Sequence, residues 1–197
     1  GWLMLPTGYK PGRKYPWIVD VYPDRPGGCA APEQRGRFAM AAGVSTAYSE
    51  HLMAARGFVV FRPDTGGGIS RTPDGPQAAL PAVVDRGVDA VLAAGYGDPA
   101  RVGLIGFSQG GFASLWVATQ SPRYKAIVSL NGWSDPADDF FQMSWSQQFA
   151  PTEMPSDGEA EKYLTPAGSH FSMGGTPWKV PLRYVQNSPL WRSDGVS

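Results

Sequence analysis

Residues 103–114 read GLIGFSQGGFAS, a serine set between glycines just after a short apolar run. Gly106, Ser108 and Gly110 satisfy the pattern GxSxG. Its chemistry depends on a buried strand before it and a helix after it: a sharp turn between the two lifts the serine hydroxyl above the sheet, and the glycines let backbones pass where a side chain would collide. In that setting Ser108 is a candidate nucleophile for acyl transfer. The backbone N–H of Gln109, at the positive end of the following helix, is a candidate donor to the oxyanion of a tetrahedral intermediate. Small residues also gather at strand-to-helix turns for packing alone, so the elements around the motif decide between the two readings. Other uses of the same glycines fail, since position 108 breaks GxGxxG and no Lys-Ser/Thr pair follows to make a phosphate-binding loop.

Those elements alternate. WLML and WIVDVY (17–22) are short, bulky and partly β-branched, separated by a Pro- and Gly-punctuated connection, and read as strands. STAYSEHLMAARG predicts a helix with Ser45 or Thr46 as its cap and Gly57 as its stop, leading into the strand FVVFR. Leu80, Val83, Val84, Val88, Val91 and Leu92 recur at three- and four-residue steps, the clearest amphipathic helix in the chain. VGLIGF, SQGGFASLWVATQ and KAIVSLN then give strand, helix, strand, with nearly continuous apolar strands of the kind found in parallel sheets covered by helices on both faces. The fold class is α/β. From about 133 to 178 the chain mixes aromatics, acids and glycines without a sustained period, predicting an excursion of short helices and loops, and the tail reads as a short helix and a turn.

Composition bounds the rest. A chain of 197 residues with 42% hydrophobic and 17% charged residues is enough for one domain with a real core. Seventeen basic residues balance seventeen acidic ones and both signs are scattered, so no electrostatic footprint for nucleic acid is expected. No apolar run has the length of a membrane span, so no membrane partner is expected either. Cys29 is the only cysteine, which rules out an internal disulfide and a multi-thiolate zinc site.

The block from His51 to Asp135, with AARGFVVFRPD and DPARVGLIGFSQGGFASLWVATQSPRYKAIVSLNGWSD, resembles the catalytic α/β-hydrolase domain of the prolyl oligopeptidase family of serine peptidases. GWLMLPTGYKPGRKYPWIVDVYPDRPGG is similar to that domain's opening strands, and GGTPWKVPLRYVQNSPLWRSD to the segment before its penultimate catalytic strand. The resemblance covers nearly the whole chain. It implies an α/β-hydrolase fold lacking its last strands, acting on a peptide or small acyl substrate without metal or organic cofactor. It places Ser108 on the nucleophile, the Gln109 amide on one oxyanion donor and the Tyr22 hydroxyl on the other. A strand-end aromatic packed on its loop is the alternative for Tyr22. Trp133, Phe140 and Phe141 fall near the family's apolar specificity pocket, and core packing accounts for them equally well. In PDTGGGISR the family's Arg-Gly pair is replaced by Thr65 and Gly66, with Arg71 later. The tripeptide Asp64-Thr65-Gly66 also spells the aspartic-protease signature, but that chemistry needs two carboxylates sharing a proton and the triplet occurs once, so a loop cap is expected.

A serine hydroxyl needs a base to take its proton and an acid to orient that base. The chain has two histidines, His51 on the helix before FVVFR and His170 in the irregular stretch, and neither stands in a context like the family's histidine. Asp135, after the KAIVSLN strand, is a candidate acid or a helix cap. The resemblance puts the family's acid and histidine beyond Ser197. The expected function is therefore that of a serine hydrolase cleaving peptide bonds. An esterase of the same fold and a silent hydrolase-fold binding module are the alternatives. A sheet lacking its last strands would expose an edge, which predicts a homo-oligomer or a complementing chain.

Overall fold

The computed structural model describes residues 1–23, 50–66, 75, 78–141 and 173–196. Among the described residues five strands, β1 (Trp2–Met4), β2 (Trp17–Asp20), β3 (Val59–Arg62), β4 (Val102–Phe107) and β5 (Ala126–Leu130), form one sheet in the order β1-β3-β2-β4-β5. All neighbours are parallel except β1, which lies antiparallel on β3. The helices are α1 (Glu50–Ala55), α2 (Leu80–Ala93), α3 (Gln109–Ala118) and α4 (Pro181–Gln186), followed by a 3₁₀ segment at Pro189–Gly195. Strand and helix positions agree with the α/β pattern of the sequence. The cap expected at Ser45 or Thr46 lies outside the described residues, whereas Gly57 does end α1, at φ +95° with its N–H on the Ala54 carbonyl.

The alternation of β2 sorts its residues between two faces. Trp17 and Val19 are buried on one side, while Ile18 and Asp20 are half-buried on the other. On the first side the helical stripe Leu80, Val84, Val88 and Val91 of α2 and Ala113 and Val117 of α3 close over Trp17, Val19, Val59, Phe61, Val102 and Leu104. Each fully buried aliphatic or aromatic side chain contributes roughly 1.5–3 kcal/mol, so this layer is the main source of stability. Pro81 stands at the first turn of α2, where its missing N–H costs nothing.

The other face is covered differently. There α1 lies against β1 and β3, and Arg62 pairs with Asp20 and with Glu50 (2.8 Å) while its guanidinium lies 5.8 Å over the Trp2 ring. Burial works against the charge on Arg62, and the two carboxylates more than offset it, raising its pKa. Further along, the registers align Ile18, Gly103 and Ala126 in one row and Asp20, Ile105 and Val128 in the next. Ile18, Gly103, Ile105, Ala126 and Val128, with Phe58, line an apolar cleft of about 330 Å³.

After β5 the chain turns helical at 136–141, and a small second core forms from Phe140, Met173 and Tyr184, with Trp133, Ala137 and Val180 against it. The carbonyl of Ser134 accepts from the Leu190 N–H and from the Ser188 hydroxyl, both at 3.0 Å, which ties the C-terminal segment to this region. Arg192 lies 5.4 Å over the Trp116 ring of α3. Among the described residues no helix is long and apolar enough to cross a membrane.

Candidate functional site

The site is built at the C-terminal ends of β4 and β5, where the parallel strands open toward the helix that follows. Ser108 stands between β4 and α3 at φ +56°, ψ −121°, in the positive-φ region that β-carbon-bearing residues rarely enter. The serine's hydroxyl makes no capping bond to α3, and the residue is half-exposed. What holds the backbone in this shape is close contact on every side. The Ser108 N–H donates to the Leu130 carbonyl at the end of β5 (2.8 Å), and the N–H groups of Gly111 and Phe112 return to the Ser108 carbonyl at 2.8 and 3.2 Å.

Glycines make the contact possible. A methyl group at Gly106 would fall onto the carbonyl of Gly110, and one at Gly110 would meet the Val21 carbonyl and come within 3.1 Å of the Tyr22 ring. At Gly111 it would stand 2.8 Å from the Cα of Gly132. Gly132 follows Asn131, the other described non-glycine residue at positive φ (+51°), so two adjacent strand ends carry unusual backbone side by side. The Asn131-Gly132 pair escaped the sequence reading, although the Asn-Gly dipeptide is a turn signal.

Gln109 opens α3, and its N–H belongs to the first turn, where no intrahelical acceptor exists. Its side chain is 4% exposed, and its amide nitrogen has no hydrogen-bond partner among the described residues. Tyr22 follows β2 with the edge of its ring beside Gly110. The fold thus brings Ser108, the Gln109 amide and Tyr22 around one turn. Thr65, which the sequence reading left without a role, is 6% exposed, and its hydroxyl donates to the Tyr22 carbonyl at 3.2 Å.

The remaining candidates separate. Asp135 is a helix cap: its carboxylate accepts the Ala137 N–H at 2.9 Å and its carbonyl the Asp139 N–H at 3.1 Å. Asp64 caps its own loop through the Gly66 N–H at 2.9 Å. His51 is exposed on α1, against β1 and β3, and β3 is separated from β4 by β2. His170, Arg71 and Cys29 lie outside the described residues. Trp133 stacks on Phe112 of α3, centroids 5.3 Å apart, next to the Gly111–Gly132 contact. Phe140 is buried in the second core, edge-on to Phe141, Trp178 and Tyr184, so packing is its observed role. Phe141 is 53% exposed and lies stacked with Trp178.

A mostly parallel sheet with a serine crossing from an interior strand, β4, into a helix is the arrangement of an α/β hydrolase. The model of the prolyl oligopeptidase family matches residues 84–182, and the chain belongs to that family. It is 30% identical over 145 residues to the bis(hydroxyethyl) terephthalate hydrolase of Streptomyces coelicolor, an alignment covering 72% of this chain and 44% of that protein. Among solved structures it superposes along its whole length on the acylaminoacyl peptidase of Pyrococcus horikoshii (TM-score 0.60, 20% identity, 28% of that chain). It does the same on dipeptidyl peptidase 4 of Porphyromonas gingivalis (TM-score 0.62, 19% identity, 24% of that chain). The chain therefore spans less than half of the curated relative and about a quarter of these peptidases.

Proposed function

We propose that this chain carries the nucleophile and oxyanion side of a serine hydrolase that cleaves peptide bonds through an acyl-enzyme on Ser108. The observation that carries the reading is the backbone of Ser108. A β-carbon-bearing residue at φ +56°, fixed by glycine contacts and with its hydroxyl not used to cap the helix, is strain kept where a reactive group would be presented. Such strain costs about 1–3 kcal/mol, which a turn serving packing alone would avoid by placing glycine at the crest.

In this mechanism the Ser108 oxygen attacks the substrate carbonyl as a base removes its proton. The new oxyanion accepts hydrogen bonds from the Gln109 N–H and the Tyr22 hydroxyl. On collapse the base gives the serine's proton to the departing amine, and a water deprotonated by the same base then hydrolyses the ester and returns the proton to Ser108. The base and its orienting acid are unassigned among the described residues. Family membership and the peptidases of like fold support the peptide substrate. One observation favours a second reading, an esterase: the relative from Streptomyces coelicolor is named for an ester substrate, and attack on an ester uses the same serine and oxyanion groups.

Fluorophosphonate labelling tests the proposal. Labelling that disappears in Ser108→Ala is the expected result, and a wild-type chain that takes no label would favour a hydrolase-fold module without an activated serine. The ratio of kcat/KM on paired p-nitroanilide and p-nitrophenyl ester substrates separates peptidase from esterase.

A further inference from the structure

Tyr22 works as an oxyanion donor only if its phenol is held still, and what holds it is visible. Among the described residues the β2–β4 ladder runs as far as the Val21 N–H on the Ile105 carbonyl (2.9 Å), and Tyr22 comes one residue later. Pro23 follows and restricts Tyr22 to extended backbone. The ring edge lies so near Gly110 that a β-carbon there would come within 3.1 Å of it. The Tyr22 carbonyl is held from the neighbouring strand's exit loop, by the hydroxyl of Thr65 at 3.2 Å.

Thr65 is buried, and its hydroxyl is not needed by its own loop, because the Asp64 carboxylate already takes the Gly66 N–H at 2.9 Å and the positive φ of the segment, +67°, falls on Gly66. Asp64 and Gly66 shape the loop, and Thr65 is turned inward onto a residue 43 positions earlier. We propose that Thr65 is a positioning residue for Tyr22: its hydroxyl fixes the Tyr22–Pro23 peptide plane and through it the direction of the phenol. This goes beyond the role proposed for Tyr22 and rests on it. A rotation of that backbone by ~10° would carry the phenol oxygen about 1 Å, a misplacement that costs on the order of 100-fold in a preorganised site.

The test uses the full chain labelled with 3-fluorotyrosine, the Tyr22 resonance being assigned by its loss in Tyr22→Phe. Thr65→Val keeps the shape and removes the hydroxyl, and Thr65→Ser keeps the hydroxyl. The expected result is a shifted or broadened Tyr22 resonance in Thr65→Val, an unchanged resonance for buried Tyr124, and restoration in Thr65→Ser. Fluorophosphonate labelling of Ser108 should slow by about 100-fold in Thr65→Val and stay within a few-fold of wild type in Thr65→Ser. A Tyr22 resonance that coincides in wild type and Thr65→Val, or that moves as far in Thr65→Ser, overturns the proposal. Should Thr65→Val fail to fold, with the Tyr124 resonance also lost, Thr65→Ala is compared with Thr65→Ser by the same criteria. Absence of labelling in the wild type would overturn the nucleophile reading and leave the resonance to decide the role of Thr65.

Discussion

The turn at Ser108 and the aromatic region after β5 are neighbours built on opposite principles. Around Ser108 the determinants are backbone: Gly106 against Gly110, Gly110 against Val21, Gly111 against Gly132, with hydrogen bonds from Ser108 to Leu130 and back from Gly111. In the aromatic region they are side chains, with Phe140 buried and edge-on to three rings, and Phe141 and Trp178 exposed beside it. A backbone lock leaves almost no freedom, which is what the proposed attack on a carbonyl would demand of these atoms. Ring packing tolerates substitution more gracefully, provided volume is kept.

Gly106→Ala should show the largest effect of any single change. The added methyl has no space that side-chain movement could create, so a loss of at least ~4 kcal/mol is expected by urea unfolding. A loss under 1 kcal/mol would mean that the turn is soft and the contrast false. Phe140→Ala comes next, at about 3 kcal/mol, because it empties the centre of the second core, and Ser108 labelling should persist in the folded fraction. Ser108→Gly should move stability the other way, by ~1 kcal/mol, since glycine tolerates the backbone that serine endures. A destabilised Ser108→Gly would remove the argument from strain. Phe141→Ala should leave stability within ~0.5 kcal/mol and show itself in KM for substrates with apolar side chains.

The strands and helices were legible because each is short, bounded by Gly or Pro and periodic: Leu80, Val84, Val88 and Val91 announce α2, and the continuous apolar VGLIGF announces a central parallel strand. The placement of Ser108 and Gln109 at a strand-to-helix turn was legible for the same reason, since the motif and its flanking elements are contiguous. The support of Tyr22 by Thr65 was not, because it depends on β2 and β3 being neighbours in the sheet, a fact of strand order that no periodicity within either strand encodes. The contact of Gly111 with Gly132 hides for the same reason. The Asp64-Thr65-Gly66 triplet spells a catalytic signature, whereas in three dimensions it is a loop in which Asp64 takes the Gly66 N–H and Thr65 turns one hydroxyl inward.

The meeting of Gly111 and Gly132 carries a consequence for heredity. Every amino-acid change reachable by one base from a glycine codon installs a β-carbon, and at this crossing none can be accommodated without parting two stretches of main chain. In a saturation library, codons 111 and 132 should stand out as empty columns, and related genes that have drifted almost everywhere else should still spell glycine at both.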